Sequence, residues 1–255
     1  MVRDKYRDKE HFLSLIRTKV ESHEKRIEKL ECGQIAEERI LPVKQAMVTN
    51  LIQKTVAEYS SGICLKDLSK DFETIIRLME ESWLGGKKKL IGPKNTVMDQ
   101  YIVDSYTQML RLLSIGYLLR EDEDFFQRLG KIIKEDNVVD LVFEYILSTK
   151  LNSWTLREES SSYAFKLYRR LKMVIEQSDN KVAEKSLKIF LEKDWINEQK
   201  KAQLLTEPEV DWYYGRWSFE SAVITCIKGL DDSSYRDNPY YPKDLVDYYR
   251  QNSNE

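Results

Sequence analysis

Three carboxylates near the end of the chain, Glu220, Asp231 and Asp232, are the residues best placed to do chemistry. Oxygen ligands of this kind can gather a hard divalent cation. The same groups can cap a helix by accepting bonds from exposed amide N–H groups, or offer negative charge to a basic partner. Asp231-Asp232-Ser233-Ser234 follows Gly229-Leu230, directly after an apolar run through Phe219, Val223, Ile224 and Ile227. Gly229 is placed to be a left-handed helix cap, and Glu220 falls in a first helical turn, where the macrodipole favours a negative charge. Capping is the leading reading of these acids, partner contact the second and metal chemistry the third. Tyr235 and Asp237 extend the candidate partner-binding set.

Little else invites catalysis. His11 and His23 are the only histidines, and twelve residues along a helix separate them by about 18 Å, too far to share a metal. Cys32, Cys64 and Cys226 are odd in number and scattered, which fits neither a disulfide framework nor a zinc site. The chain carries no Gly-x-Gly-x-x-Gly, Walker loop, Gly-x-Ser-x-Gly or His-Glu-x-x-His. No catalytic residue, resident metal or cofactor is expected. A carboxylate-dependent metalloenzyme on a helical scaffold, using Glu220, Asp231 and Asp232, stays as the enzymatic alternative, and a helical adaptor as the other.

Aromatic residues crowd the same region. Trp212, Tyr213, Tyr214 and Trp217 precede the apolar run and Tyr240-Tyr241-Pro242 follows it. Trp217 and Phe219 read as packing residues and Tyr241 as part of the same structural signature, while Tyr235, Tyr240 and Tyr241 are open to either packing or contact. Pro242 suits the first turn of a short terminal helix.

Charge narrows the partners. Forty-one Lys and Arg face 43 Asp and Glu, a net charge of −2, without the concentrated positive face of a nucleic-acid binder. The short run Lys87-Lys88-Lys89 with Lys94 reads as a solvated loop. From Glu207 to Asp247, nine acidic residues face four basic ones, a local balance of −5, which makes this stretch the acidic pole. No run reaches the roughly 18 to 20 apolar residues of a membrane span, and Met1-Val2-Arg3-Asp4-Lys5 lacks a signal-peptide core. The expected location is the cytoplasm.

The elements that must position these groups are helices almost throughout. With 255 residues, nine glycines and five prolines, the chain can bury a substantial core and has few turn residues. Phe12, Ile16, Val20, His23, Ile27 and Leu30 mark one face of a long first helix, with Gly33 as its stop. A second helix is expected near Pro42, broken at Ser60-Ser61-Gly62; Leu68, Phe72, Ile75, Ile76, Met79 and Trp83 form the next stripe. Thr96 and Asp99 read as a capping box before a strongly apolar helix through Tyr101, Met109 and Leu113. Helices follow around Phe125 to Lys134, Val138 to Thr149, Tyr163 to Gln177 and Lys181 to Trp195, with a polar connection at Asn152 to Ser162. The expected fold is all-α, an orthogonal and antiparallel bundle of helical hairpins with no significant sheet. An N-terminal domain over 1–120 and a C-terminal domain over 121–255 are expected, the change falling at Leu119 to Asp122; a single helical body is the alternative.

One resemblance covers most of the chain. Trp217-Ser218-Phe219-Glu220-Ser221-Ala222, then Asp231-Asp232-Ser233-Ser234, then Tyr240-Tyr241-Pro242-Lys243-Asp244-Leu245-Val246-Asp247 resemble the C-terminal signature of the PoNi family. These are bacterial immunity proteins that neutralise PoNe-type polymorphic DNase toxins. Arg7-Asp8-Lys9 and Phe12, opening a long charged helix, look like the companion N-terminal domain. The resemblance implies a stoichiometric complex with a cognate DNase domain, while the missing motifs imply no activity of its own and the charge balance and short apolar runs imply no direct contact with nucleic acid or membrane. A DNase presents positive charge to its substrate backbone, so an inhibitor gains by offering carboxylates there.

Overall fold

The computed structural model describes residues 1–157 and 165–252. Among them are eleven α-helices and one two-stranded ribbon. Two compact units emerge: Met1–Lys87 with Thr206–Arg216, and Lys88–Leu205 with Trp217–Glu255. Leu119 to Asp122, the expected change of domain, lies inside the second unit, whose first residue is Lys88.

The first unit is built on α1 (Lys9–Glu31), α2 (Glu37–Ser61) and α3 (Phe72–Ser82). Asp8 caps α1 by accepting from the His11 amide, and Gly33 follows its end at φ +64°. The stripe of α3 is fully realised: Leu68, Phe72, Ile75, Ile76, Met79 and Trp83 are all buried. α2 does not begin at Pro42. It starts five residues earlier, with Glu37 and Glu38 in its first turn and Pro42 inside the helix. A proline this near the start removes one intrahelical bond, and a long helix packed on α1 and α3 tolerates that. Lys54 of α2 links two carboxylates, Glu58 at 2.5 Å and Asp71 at 2.7 Å, tying α2 to the start of α3.

The second unit opens with the ribbon, β1 (Lys89–Ile91) antiparallel to β2 (Val97–Tyr101). The capping box expected at Thr96 and Asp99 is not formed. Thr96 follows the turn at Pro93–Asn95, where Lys94 and Asn95 both take positive φ, and Asp99 lies in β2, paired with Lys89 at 3.0 Å. The lysine stretch is therefore partly a strand rather than wholly a solvated loop. Positive φ at both central positions gives the twist that closes a tight hairpin, and Asn adopts it readily.

α4 (Val103–Leu119) is buried over most of its length and packs against α5 (Glu123–Glu135), α6 (Leu141–Ser148), α10 (Phe219–Lys228) and α11 (Lys243–Gln251). Asp122 and Asp140 cap α5 and α6. Leu151 and Trp154 bury the start of the polar connection, while 158–164, including its end and Tyr163, lie outside the described residues. Of the helix expected over Tyr163 to Gln177, the described residues form a 3-10 turn at Lys166–Tyr168 and then α7 (Arg169–Glu176). Asp179 caps α8 (Asn180–Ile189), which runs through a π segment at Phe190–Trp195 into α9 (Ile196–Lys201). Among the described residues no helix is long and apolar enough to cross a bilayer.

Candidate functional site

Glu220, Asp231 and Asp232 are not brought together. Glu220 stands in the first turn of α10 and the two aspartates follow its end, so the eight helical residues from Ser221 to Lys228, about 12 Å of helix, stand between them. Among the described residues no three His, Cys, Asp or Glu side chains converge as metal ligands.

Each carboxylate has its own surroundings. Glu220 is buried, and its Oε1 accepts from Trp195 Nε1–H at 2.6 Å, reaching the π segment. Burial raises its pKa above the ordinary carboxylate value, against the opposing pull of its hydrogen bonds and of Arg111. Asp231 is exposed; its Oδ1 accepts from the Ser233 amide at 3.0 Å, and that bond lowers its pKa. Its own amide donates to Glu184 Oε1 at 3.0 Å. Asp232 is buried and accepts from Arg236 and Arg250, each at 2.9 Å, and from the Tyr241 hydroxyl at 3.2 Å. Asp237 is exposed and pairs with Lys243 at 3.0 Å.

The aromatic residues around them pack inward. Tyr235 is buried, with its hydroxyl 3.1 Å from Thr225 Oγ1 and its ring edge-on to Tyr241. Trp217, Phe219 and Tyr241 are buried. Gly229 ends α10 at φ +62°, and Pro242 stands at the N-cap of α11. Of the five candidate partner-binding residues, Asp231 and Asp237 are at the surface; Glu220, Asp232 and Tyr235 are inside the second unit.

The start of the acidic stretch belongs to the first unit. Residues Thr206–Arg216 form a strap stitched to α1, α2 and the N-terminal segment. The Tyr213 hydroxyl donates to Asp4 Oδ2 at 2.7 Å, His11 Nε2 donates to the Tyr213 carbonyl at 2.8 Å, and Ser60 Oγ donates to the Tyr214 carbonyl at 2.9 Å. Burial and the neighbouring Asp4 carboxylate push the Tyr213 phenol well above its ordinary pKa. Arg216 folds back onto the Thr206 carbonyl and Glu207. A groove of about 560 Å³ lies where this strap meets α1, lined by Glu10, His11, Ser14, Leu15, Thr18, Asp211 and Trp212. Trp212 and Asp211 were legible as part of an aromatic, acidic run. Glu10 was not, because 201 residues separate it from Asp211 and only the strap joins them.

The scaffold is helical apart from one two-stranded ribbon, with a strapped N-terminal unit and an internally bonded C-terminal signature. Two family models match this architecture in sequence. The model of the N-terminal domain of the PoNe immunity proteins (PoNi) matches residues 3–131, and that of their C-terminal domain matches residues 138–245. The chain belongs to the PoNe immunity protein family. Its fold is similar to the crystal structure of protein PA2201 from Pseudomonas aeruginosa, with a TM-score of 0.69 and 18% identity over 98% of this chain and 91% of that one. No curated protein matches the sequence.

Proposed function

We propose that this protein acts in the cytoplasm as the stoichiometric inhibitor of a cognate PoNe-type DNase toxin, binding the nuclease domain and performing no catalysis itself. Membership of the PoNe immunity family over nearly the whole chain is the observation that carries the reading. The acidic stretch from Glu207 to Asp247 supports it physically, because a nuclease surface built to hold phosphates attracts carboxylates. The enzymatic alternative loses its motivation, since its three carboxylates are spread along and beyond α10.

The test is co-expression with a PoNe-type nuclease domain, taken from the toxin gene sought beside this one. Cells carrying both are expected to grow and keep intact chromosomal DNA, and the two chains are expected to copurify in a one-to-one complex. Death of those cells, with both proteins present and no complex recovered, would overturn the assignment.

A further inference from the structure

The acidic stretch is not uniformly available to a partner. In the second unit Asp232 is held by two arginines, Asp247 by Arg236 and Asp237 by Lys243, while Glu220 is buried on Trp195. In the first unit Glu207 pairs with Arg216. Glu209 and Asp211 are different: both are exposed, and neither makes a side-chain hydrogen bond or ion pair among the described residues. The same holds for Glu10, across the groove on α1.

Trp212 stands in that groove and is 63% exposed, although its neighbour Tyr213 is fully buried. A surface tryptophan is a large apolar area left in water, and such residues recur as interface anchors. The chain elsewhere covers aromatic faces with its own cations: Lys5 lies 4.9 Å from the Tyr6 ring centre, Lys134 4.5 Å from Trp154 and Lys150 4.6 Å from Tyr117. Trp212 carries no such cation among the described residues, and no Lys or Arg lines its groove. Leu15 adds an apolar wall suited to an aliphatic stem. Apolar wall, indole face and two unneutralised carboxylates together fit one kind of side chain, a long flexible cation.

We propose that the groove between α1 and the Thr206–Arg216 strap receives an arginine or lysine side chain of the cognate nuclease, stacked on Trp212 and paired with Glu10 and Asp211. This rests on the immunity reading and narrows it to one surface of the first unit. The cation so captured is of the kind a nuclease uses to hold the phosphate backbone, so its capture competes with DNA.

The experiment measures affinity of the full-length protein for the PoNe-type nuclease domain used in the co-expression test, with melting temperature recorded for every variant. Trp212→Ala is expected to weaken binding by about 30-fold, and Glu10→Gln with Asp211→Asn to weaken it mainly through slower association. Glu31→Gln, at the far exposed end of α1, is the control and is expected to bind as the parent does. If Trp212→Ala lowers the melting temperature, the carboxylate pair decides. Parent-like binding by both groove variants overturns the groove while leaving the immunity reading standing, and so does an equal loss in the control. A concentration-dependent dimer abolished by Trp212→Ala assigns the groove to self-association and also overturns the proposal. Failure of the parent protein to bind overturns the immunity reading, and the groove with it.

Discussion

Two guanidinium groups and a phenol converge on Asp232, which keeps only 7% of its side chain in contact with water. Replacing it with asparagine removes the charge and turns an N–H donor toward groups that are themselves donors. Breaking a buried pair costs about 3 to 5 kcal/mol, but Arg236 and Arg250 are 30% and 41% exposed and water recovers part of that. Asp232→Asn is therefore expected to lose about 2 kcal/mol, read as a lower urea midpoint at unchanged slope. Protection against the toxin should fall only in step with stability; lost protection at full stability would make Asp232 a contact residue. Glu220 yields a second test through its raised pKa. It holds its proton longer folded than unfolded, so the folded state binds more protons between the ordinary value of 4.5 and the raised one. Through that window stability falls as pH rises. Glu220→Gln removes this contribution, so the variant's stability is expected to decline less than the parent's from acid towards neutral pH; an unchanged profile would show that Glu220 does not titrate there. The Gly229 cap and the Asp231 turn were legible in the sequence because their partners lie within a few residues. The burial of Glu220 and Asp232 was not, since it depends on Trp195 and Arg250, 25 and 18 residues distant.

Helix α4 passes through the middle of the second unit, and one residue sets how near α5 can come. A Cβ on Gly116 would sit 2.3 Å from Cε1 and 2.5 Å from Cζ of Phe125. That ring has no room to retreat, because it is buried and edge-on to Phe126 at 5.0 Å. Gly116→Ala gains up to about 1 kcal/mol of helix propensity and meets an overpacking cost of about 1 to 3 kcal/mol. The clash wins, and a net loss of about 1 to 2 kcal/mol is expected. Adding Phe125→Leu should recover part of it, giving a non-additive double-mutant cycle; strict additivity would show that the two residues do not touch. Helices such as α3 and α10 were readable beforehand because their apolar stripes recur every three to four residues whatever packs on them. The ribbon was hidden because Thr96 and Asp99 carry a plausible helix-start pattern. What decides between the two is the pair of positive-φ residues at Lys94 and Asn95, followed by the Lys89–Asp99 bridge. Pro42 misled for a similar reason: proline signals a first turn on average, while the acidic pair Glu37-Glu38 marks the true one. The chain's return to the first unit at Thr206–Arg216 rests on contacts such as Tyr213 with Asp4, 209 residues apart, which no local pattern carries.

A net charge of −2 over 255 residues gives the whole molecule almost no long-range pull on a basic partner. Any electrostatic steering must come from where the charges stand, and internal pairing removes much of the second unit's share, as the bridges to Arg236, Arg250 and Lys243 show. What remains in the open includes Glu10, Glu209 and Asp211, all in the first unit. A local field of this kind reaches about one Debye length, ~10 Å at 0.1 M salt and ~3 Å at 1 M. It speeds encounter and contributes less to holding the finished complex, where apolar contact and water exclusion dominate. Raising salt from about 0.05 to 0.5 M is therefore expected to slow association with the nuclease domain by about tenfold. Dissociation should change by less than about threefold over the same range. In Glu10→Gln/Asp211→Asn the association rate should already be low and nearly flat with salt, whereas Trp212→Ala should keep the parent's salt slope and dissociate faster. Stopped-flow measurements of both rates separate these behaviours. A salt effect confined to dissociation, or a parent-like slope in the carboxylate variant, would mean that the exposed acids of the first unit do not guide the encounter.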